Sequence, residues 1–434
     1  MIFSGYFQIK THRERVYAIA MLRTVYDPRL CKVEDNYQDS MVSQLYKGLA
    51  LSPASISDLM SHLGRQRAAM DGFMRSMAGS GGAASFLIDG HRIISASEGM
   101  GDAALGYDSK MRHRPQINLL YVFSLGRDSV HPCYYRKFGG DISDVSAFGE
   151  VVKAAGIASG DATVIADKGF MSDGNVSLLG DLGLRYIMPL RRGNRHVRGK
   201  VPQDSAGYEE SFVYAGRAVF SSRLPSEEGC NVFLYRDVDL YRDEEDDLIK
   251  RMTGWNEGLD AKKSREMQRR LRGKGQYSDA ELDAMRPLRL SDVLADNPER
   301  GTISIRTDRL DLNSRQVYSI YKQRQTIEQG FKTYDDSLMG DSSYMHSDAG
   351  FEAWLFLNHL SMMMVYDAAE EIYRKGLSNK YSFDMFRKLL TKIRAMRNAD
   401  GWIPCKKTKN TREMLGKLGL DISKVTMLDS HPKN

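Results

Sequence analysis

The stretch TVIADKGF (163–170), followed by LRYIMPLRRGN (184–194), decides how the rest of the chain is read. TVIA is a short apolar run rich in β-branched residues, bounded by an aspartate and a glycine, and reads as a buried strand that ends at Asp167. VSLLGDLG (176–183) reads as a short helix and LRYIMPL as the next strand. Working back from there, GGDISDVSAFGEVVKAAG (139–156) holds a helix capped at Ser143 or Asp144, with Val145, Phe148, Val151 and Val152 on its apolar face. Before it stand FLID (86–89), HRIISAS (91–97), PQINLLYVFSL (115–125) and VHPCYYRKF (130–138), read as separate, hairpin-like strands. Strands followed by alternating helices and strands give an α/β fold, a mixed sheet flanked by helices.

At 434 residues and 42% apolar content the chain is long enough for one large core or two to three domains. Its four cysteines, Cys31, Cys133, Cys230 and Cys405, lack metal-ligand spacing and form no disulfide framework, which suits a reducing compartment. The longest apolar run, Trp354 to Tyr366, is broken by Asn358 and His359 and is too short to span a bilayer, so no membrane role is expected.

Net charge is only +6, yet the cations cluster at 110–115, 191–200, 262–276 and 406–409. A single cluster is usually a solvated face; four together favour a polyanionic partner. The acidic run RDVDLYRDEEDDL (236–248) reads as a solvated loop. Between 201 and 305 the pattern changes: ESFVYAGRAVFSS and CNVFLYRDVDLY alternate as antiparallel strands, and a charged helix is expected from Glu257 to about Met285. SRQVYSIYKQRQTIEQGFKTYDD (314–336) then reads as one helix, and FEAWLFLNHLSMMMVYDAAEEIY (351–373) as a buried one.

Asp89 ends FLID much as Asp167 ends TVIA, each with a glycine close behind. Two carboxylates brought together at strand ends repel unless a cation neutralises them, and oxygen ligands select hard metals such as Mg²⁺. For an isolated strand-end aspartate an Asx-turn is the commoner explanation. On the 314–336 helix, Tyr321, Arg324, Glu328 and Lys332 align along one shoulder, although the last three also fit a surface ladder of i,i+4 ion pairs. Trp255 reads as structural or as a platform for an extruded base.

The ordered set LIDG, PQINLLYVFSL with YYRKFGGDISDVSAF, TVIADKGF with RYIMPLRR, and YKQRQTIEQGFK resembles the DDE insertion-sequence transposases of the insertion-sequence-four-like group, over roughly residues 83–400. That family has an RNase H-like catalytic domain interrupted by a β-rich insertion, and a Tyr-x2-Arg-x3-Glu-x6-Lys signature. Tyr321, Arg324 and Glu328 match its spacing; Asp335 occupies the lysine position, and Lys332 lies one turn from Glu328. The resemblance implies a catalytic, metal-holding triad of Asp89, Asp167 and Glu328 working with Mg²⁺, Mn²⁺ substituting. It implies a cut-and-paste transposase acting on double-stranded DNA, a homodimer when assembled on DNA, in the prokaryotic cytoplasm at the nucleoid. Tyr321, Arg324 and Lys332 are the implied phosphate contacts, with Lys168, Arg191 and Arg192 as further DNA-binding residues.

The expected organisation is an N-terminal helical segment (1–80), two catalytic parts (83–200 and 306–400), the insertion (201–305) and a basic tail (401–434). An RNase H-like nuclease without strand transfer, and a non-catalytic DNA-binding relic of a mobile element, remain as alternatives.

Overall fold

A computed structural model describes residues 10–80, 85–95, 97, 99–107, 113–126, 130–157, 161–202, 204–227, 229–274, 276–325, 338, 342–378, 380–398 and 401–420. The chain forms two compact units, residues 1–184 with 323–434, and residues 185–322.

In the first unit β1 (Ser85–Ser95), β2 (Ala104–Tyr107), β3 (His113–Leu125), β4 (Val130–Gly139) and β5 (Thr163–Ala166) form the sheet. β3 is the antiparallel neighbour of β1, β2 and β4, while β5 joins the far edge of β1 in parallel, giving the spatial order β4-β3-β1-β5. The parallel neighbour is reached through the helix Asp144–Ala155, and this mixed sheet with helices packed on it is an RNase H-like α/β fold. One expectation changes. FLID and HRIISAS are a single eleven-residue strand, because β3 supplies ladder partners without interruption from Ser85 opposite Leu125 to Ile94 opposite Gln116. Gly90 lies inside that ladder, opposite Leu120, so the glycine after Asp89 makes no turn.

The helix Asp144–Ala155 begins where its cap chemistry dictates: the Ser143 hydroxyl accepts from the Ser146 N–H, and Gly156 ends the helix in the left-handed region at φ 64°. Its buried face carries Ala147, Phe148, Val151, Val152 and Ala155. Burying a side chain such as Phe148 contributes roughly 2–3 kcal/mol. The helix Asp348–Arg374, capped by Ser347, is buried along most of its length, which accounts for its nearly unbroken apolar sequence. Its two polar interruptions meet polar groups inside: Asn358 accepts from Arg23, and His359 Nδ1 meets the Tyr121 hydroxyl at 3.2 Å. Arg67 of the helix Arg67–Ser80 ties the same long helix to β4 by pairing with Glu352 and donating to the Tyr135 carbonyl at 2.9 Å. No helix among the described residues is long and apolar enough to cross a membrane.

The second unit holds β6 (Arg185–Leu190), β7 (Glu210–Tyr214), β8 (Arg217–Leu224), β9 (Asn231–Asp237) and β10 (Thr302–Thr307), paired antiparallel in the order β7-β8-β9-β10-β6. The acidic run is not a loop. Asp237 caps a 34-residue helix, Val238–Leu271, by accepting from the Asp239 and Leu240 N–H groups, and Asp239 stands in the first turn, where the helix dipole favours a carboxylate. The helix therefore starts nineteen residues before the expected Glu257. The helix opening at Ser314 ends at Lys322, with a turn at Gln323 and helical residues again at 324 and 325; the rest of the stretch expected to be helical, to 336, lies outside the described residues.

Candidate active site

Asp167 is placed by the turn that follows β5. The Phe170 N–H donates to the Asp167 carbonyl at 3.0 Å, closing the four residues Asp-Lys-Gly-Phe. The Phe170 ring is buried against Phe148, 5.6 Å between centroids, and Asn175 Nδ2 donates to the carbonyls of Phe170 (2.8 Å) and Val145 (3.1 Å). The turn is thus clamped between the helices Asp144–Ala155 and Asp173–Asp181, and the aspartate at its head has one orientation to adopt.

Asp89 arrives from the middle of β1. Parallel pairing runs from Ser85 opposite Thr163 to Ile88 opposite Ala166, so Asp89 and Asp167 occupy the next positions of two neighbouring strand paths, which lie about 4.8 Å apart in a sheet. Asp89 is 9% exposed. Two carboxylates this close and this shielded from water need a cation between them.

Arg324 supplies one in this structure. Its Nη2 lies 3.7 Å from Asp89 Oδ2 and its Nη1 3.4 Å from Asp167 Oδ1, with the arginine side chain only 18% exposed. A planar guanidinium can span two acceptors in this way where an ammonium would choose one. A further acid borders the pair. The carboxylate of Asp144 lies 3.6 Å from where a Cβ on Gly90 would stand and 3.9 Å from one on Gly169. Burial pushes the Asp144 carboxyl up and the negative charge of Asp167 adds to the shift, while Arg92 opposes it.

β1 and β5 of this RNase H-like sheet each deliver an aspartate to one place, and residues 64–364 match the family model of the transposase DDE domain. The chain belongs to that family. A comparison with curated proteins finds no match. As a DDE transposase the chain acts in DNA transposition, with DNA as its partner.

The site residues read from the sequence of this DDE transposase fall into three groups. Asp89, Asp167 and Arg324 come together, the arginine on the carboxylates themselves. Glu328 and Lys332 lie outside the described residues. The others sit on the fold as follows. Tyr321 is buried, 6% exposed, on the helix Ser314–Lys322. Lys168 is exposed in the Asp167 turn, and Arg191 is exposed just after β6. Arg192 is engaged within its own unit, donating to both oxygens of Glu244 at 2.7 and 2.8 Å and to the Thr302 carbonyl. Nothing in the sequence signals Asp144 in this company, since Ser143-Asp144 reads simply as a helix start.

The donor set fits a hard divalent cation: two carboxylates converge where a positive charge already sits. Among the described residues no three His, Cys, Asp or Glu side chains group to hold a metal.

Proposed function

We propose that the chain is a divalent-metal-dependent cut-and-paste transposase of the insertion-sequence-four-like group. On this reading it cleaves the ends of its own mobile element and joins the resulting 3′-hydroxyls to target DNA. The convergence of Asp89 and Asp167 on Arg324, inside a chain of the DDE family, carries the reading.

Asp89 and Asp167, with Glu328 as the third carboxylate, would hold Mg²⁺ or Mn²⁺. Bound there, such cations would supply Lewis acidity for an in-line displacement by a water or a DNA 3′-hydroxyl. The chain's own residues then do the positioning. Arg324, held beside the two carboxylates, reaches the non-bridging oxygens of the phosphate under attack, where its fork donates two hydrogen bonds. Lys168, exposed in the Asp167 turn, offers a point charge to a neighbouring phosphate. Tyr321 and Lys332 complete the phosphate contacts, with Arg191 and Arg192 binding DNA on the second unit. The hydroxyl's proton leaves to solvent, and no covalent protein intermediate forms. Work on two element ends at once requires a homodimer on DNA, in the cytoplasm of a prokaryotic cell.

The test is cleavage and joining of DNA bearing the element's ends, in Mg²⁺ or Mn²⁺, by the intact chain and by Asp167→Asn and Glu328→Ala. Activity lost in both variants with the fold retained is expected. Full activity in Glu328→Ala would remove Glu328 from the triad, and cleavage without joined products by the intact chain would make the protein a nuclease.

A further inference from the structure

The helix Val238–Leu271 packs along one side only, with Leu259 and Glu266 as its buried residues. On the other side Asp243, Asp247, Gly254, Gly258, Arg265 and Arg269 are all exposed, and their spacing brings them within about 80° of arc at about 3.6 residues per turn. The steps between them are 4, 7, 4, 7 and 4 residues, the same read from either end. The charges of these six are not the same from either end: carboxylates stand at one, guanidiniums at the other, and the exposed Arg251 shares the arc in the carboxylate half.

We infer that this face pairs with the same face of a second copy of the chain, antiparallel, about a two-fold axis midway between Gly254 and Gly258. In that register Asp243 of one copy meets Arg269 of the other, Asp247 meets Arg265, and each contact occurs twice, as an isologous interface requires. A parallel pair would set aspartate against aspartate, so the charges select the orientation as well as the partner. The glycines fit the same arrangement. A Cβ built on either meets nothing within 4 Å, and a glycine in a helix interior weakens the helix relative to alanine. The helix itself gains nothing from them, whereas a second helix crossing there can approach closely. Trp255, 62% exposed at the margin of this face, lies where it would cover the flank of the crossing.

The charges are free to exchange partners. Asp247 pairs with Arg251 one turn along, and Arg269 donates to Gln276 at 2.5 Å, both at exposed positions where such contacts are worth little. A nucleic acid is the poorer occupant, because the exposed carboxylates of the same face would repel its phosphates along half the length. The pairing stands apart from the catalytic reading above, and its test needs no element DNA.

Sedimentation equilibrium of the full chain, over about 1–100 µM, is expected to show a dimer that weakens several-fold as salt rises from about 50 to about 500 mM. The double variant Arg265→Asp/Arg269→Asp is expected to be monomeric with its far-ultraviolet spectrum unchanged. Adding Asp243→Arg/Asp247→Arg to the same chain restores complementarity and is expected to restore the dimer, an outcome that a general loss of folding would not give. A wild-type chain monomeric throughout, a dimer indifferent to the two aspartates, or a four-fold variant that stays monomeric would each overturn the proposal. A monomer whose affinity for duplex DNA drops with Arg265→Asp/Arg269→Asp would also overturn it and assign the arginines to phosphates.

Discussion

Asp89 and Asp167 face one another across a single guanidinium, because the parallel register that ends at Ile88 and Ala166 makes them the next two residues on adjacent strand paths. Replacing either by asparagine keeps the shape and removes one of the charges proposed to hold Mg²⁺. Metal stabilisation of the transition state is worth several kcal/mol, so DNA cleavage by Asp89→Asn or Asp167→Asn is expected to fall at least about 10³-fold. Melting curves give an independent readout: Mn²⁺ is expected to raise the melting temperature of the parent chain and to leave that of each variant unmoved. A normal Mn²⁺ response in Asp167→Asn would remove that residue from the metal site.

Arg324 offsets the charge of both carboxylates. Its removal leaves two shielded carboxylates repelling each other, and in EDTA the Arg324→Ala variant is expected to lose about 1–2 kcal/mol, a modest figure because Asp167 is 31% exposed to screening water. Millimolar Mg²⁺ is expected to return part of that loss, since a divalent ion supplies the charge the arginine gave. Arg324→Lys should fall between, because an ammonium cannot span both acceptors. Identical melting of the parent and Arg324→Ala in EDTA would show that the guanidinium does not balance the pair.

The sequence discloses most of this fold where a local rule has no competitor. Ser143, Gly156 and the apolar face between them mark the helix Asp144–Ala155 at both ends, and the β-branched run before Asp167 marks β5. It misleads where a long-range partner outvotes local chemistry. Asp89-Gly90 has the composition of a turn, but an unbroken ladder of ten residue pairs with β3 holds it extended. The run Arg242 to Asp247 has the composition of a loop, yet it continues the helix that the buried Asp237 caps. Asp167 is legible as a strand end, whereas Asp89, read as one, lies in the middle of β1. The convergence of Arg324 and the closeness of Asp144 are not legible, because both depend on how separate segments meet in space.

His359 makes the first unit sensitive to acid. Burial, aided by the positive charge of Arg67, holds its imidazole down to about 3, and it packs among Tyr121 and Tyr135 with the Tyr121 hydroxyl at 3.2 Å. The native state keeps this histidine neutral while the unfolded chain protonates it near 6.5, so the unfolded state binds the extra proton below that value. Stability is therefore fully present above about pH 6.5 and declines as pH falls towards 3, with a loss from this group of roughly 2 kcal/mol by pH 5. Denaturant titrations of the parent chain and of His359→Gln at pH 7.5 and pH 5 measure it. The variant is expected to be less stable at pH 7.5 and to show a smaller difference between the two pH values; an equal difference would assign the acid sensitivity elsewhere.

Asp237 joins two elements of the second unit through one carboxylate. One oxygen caps the helix Val238–Leu271 from 3.1 and 3.3 Å; the other accepts from the Tyr318 hydroxyl at 2.6 Å and lies 3.4 Å from Lys322 Nζ. The residue is fully buried, and burial alone would push its carboxyl up, but the Tyr318 hydrogen bond, Lys322 and the helix N–H groups outweigh it and hold the group below the ordinary carboxylate range. A depressed native value contributes stability above about pH 3.8 that disappears as pH falls through the native value. Asp237→Ala strands Lys322, itself 9% exposed, without its carboxylate and removes the cap, and is expected to cost about 3–5 kcal/mol. Asp237→Asn retains an oxygen for the cap and is expected to cost less than half as much. Urea unfolding followed by far-ultraviolet circular dichroism distinguishes the two, and a cost for alanine no greater than for asparagine would mean that the buried charge pair, and not the cap, is what Asp237 contributes.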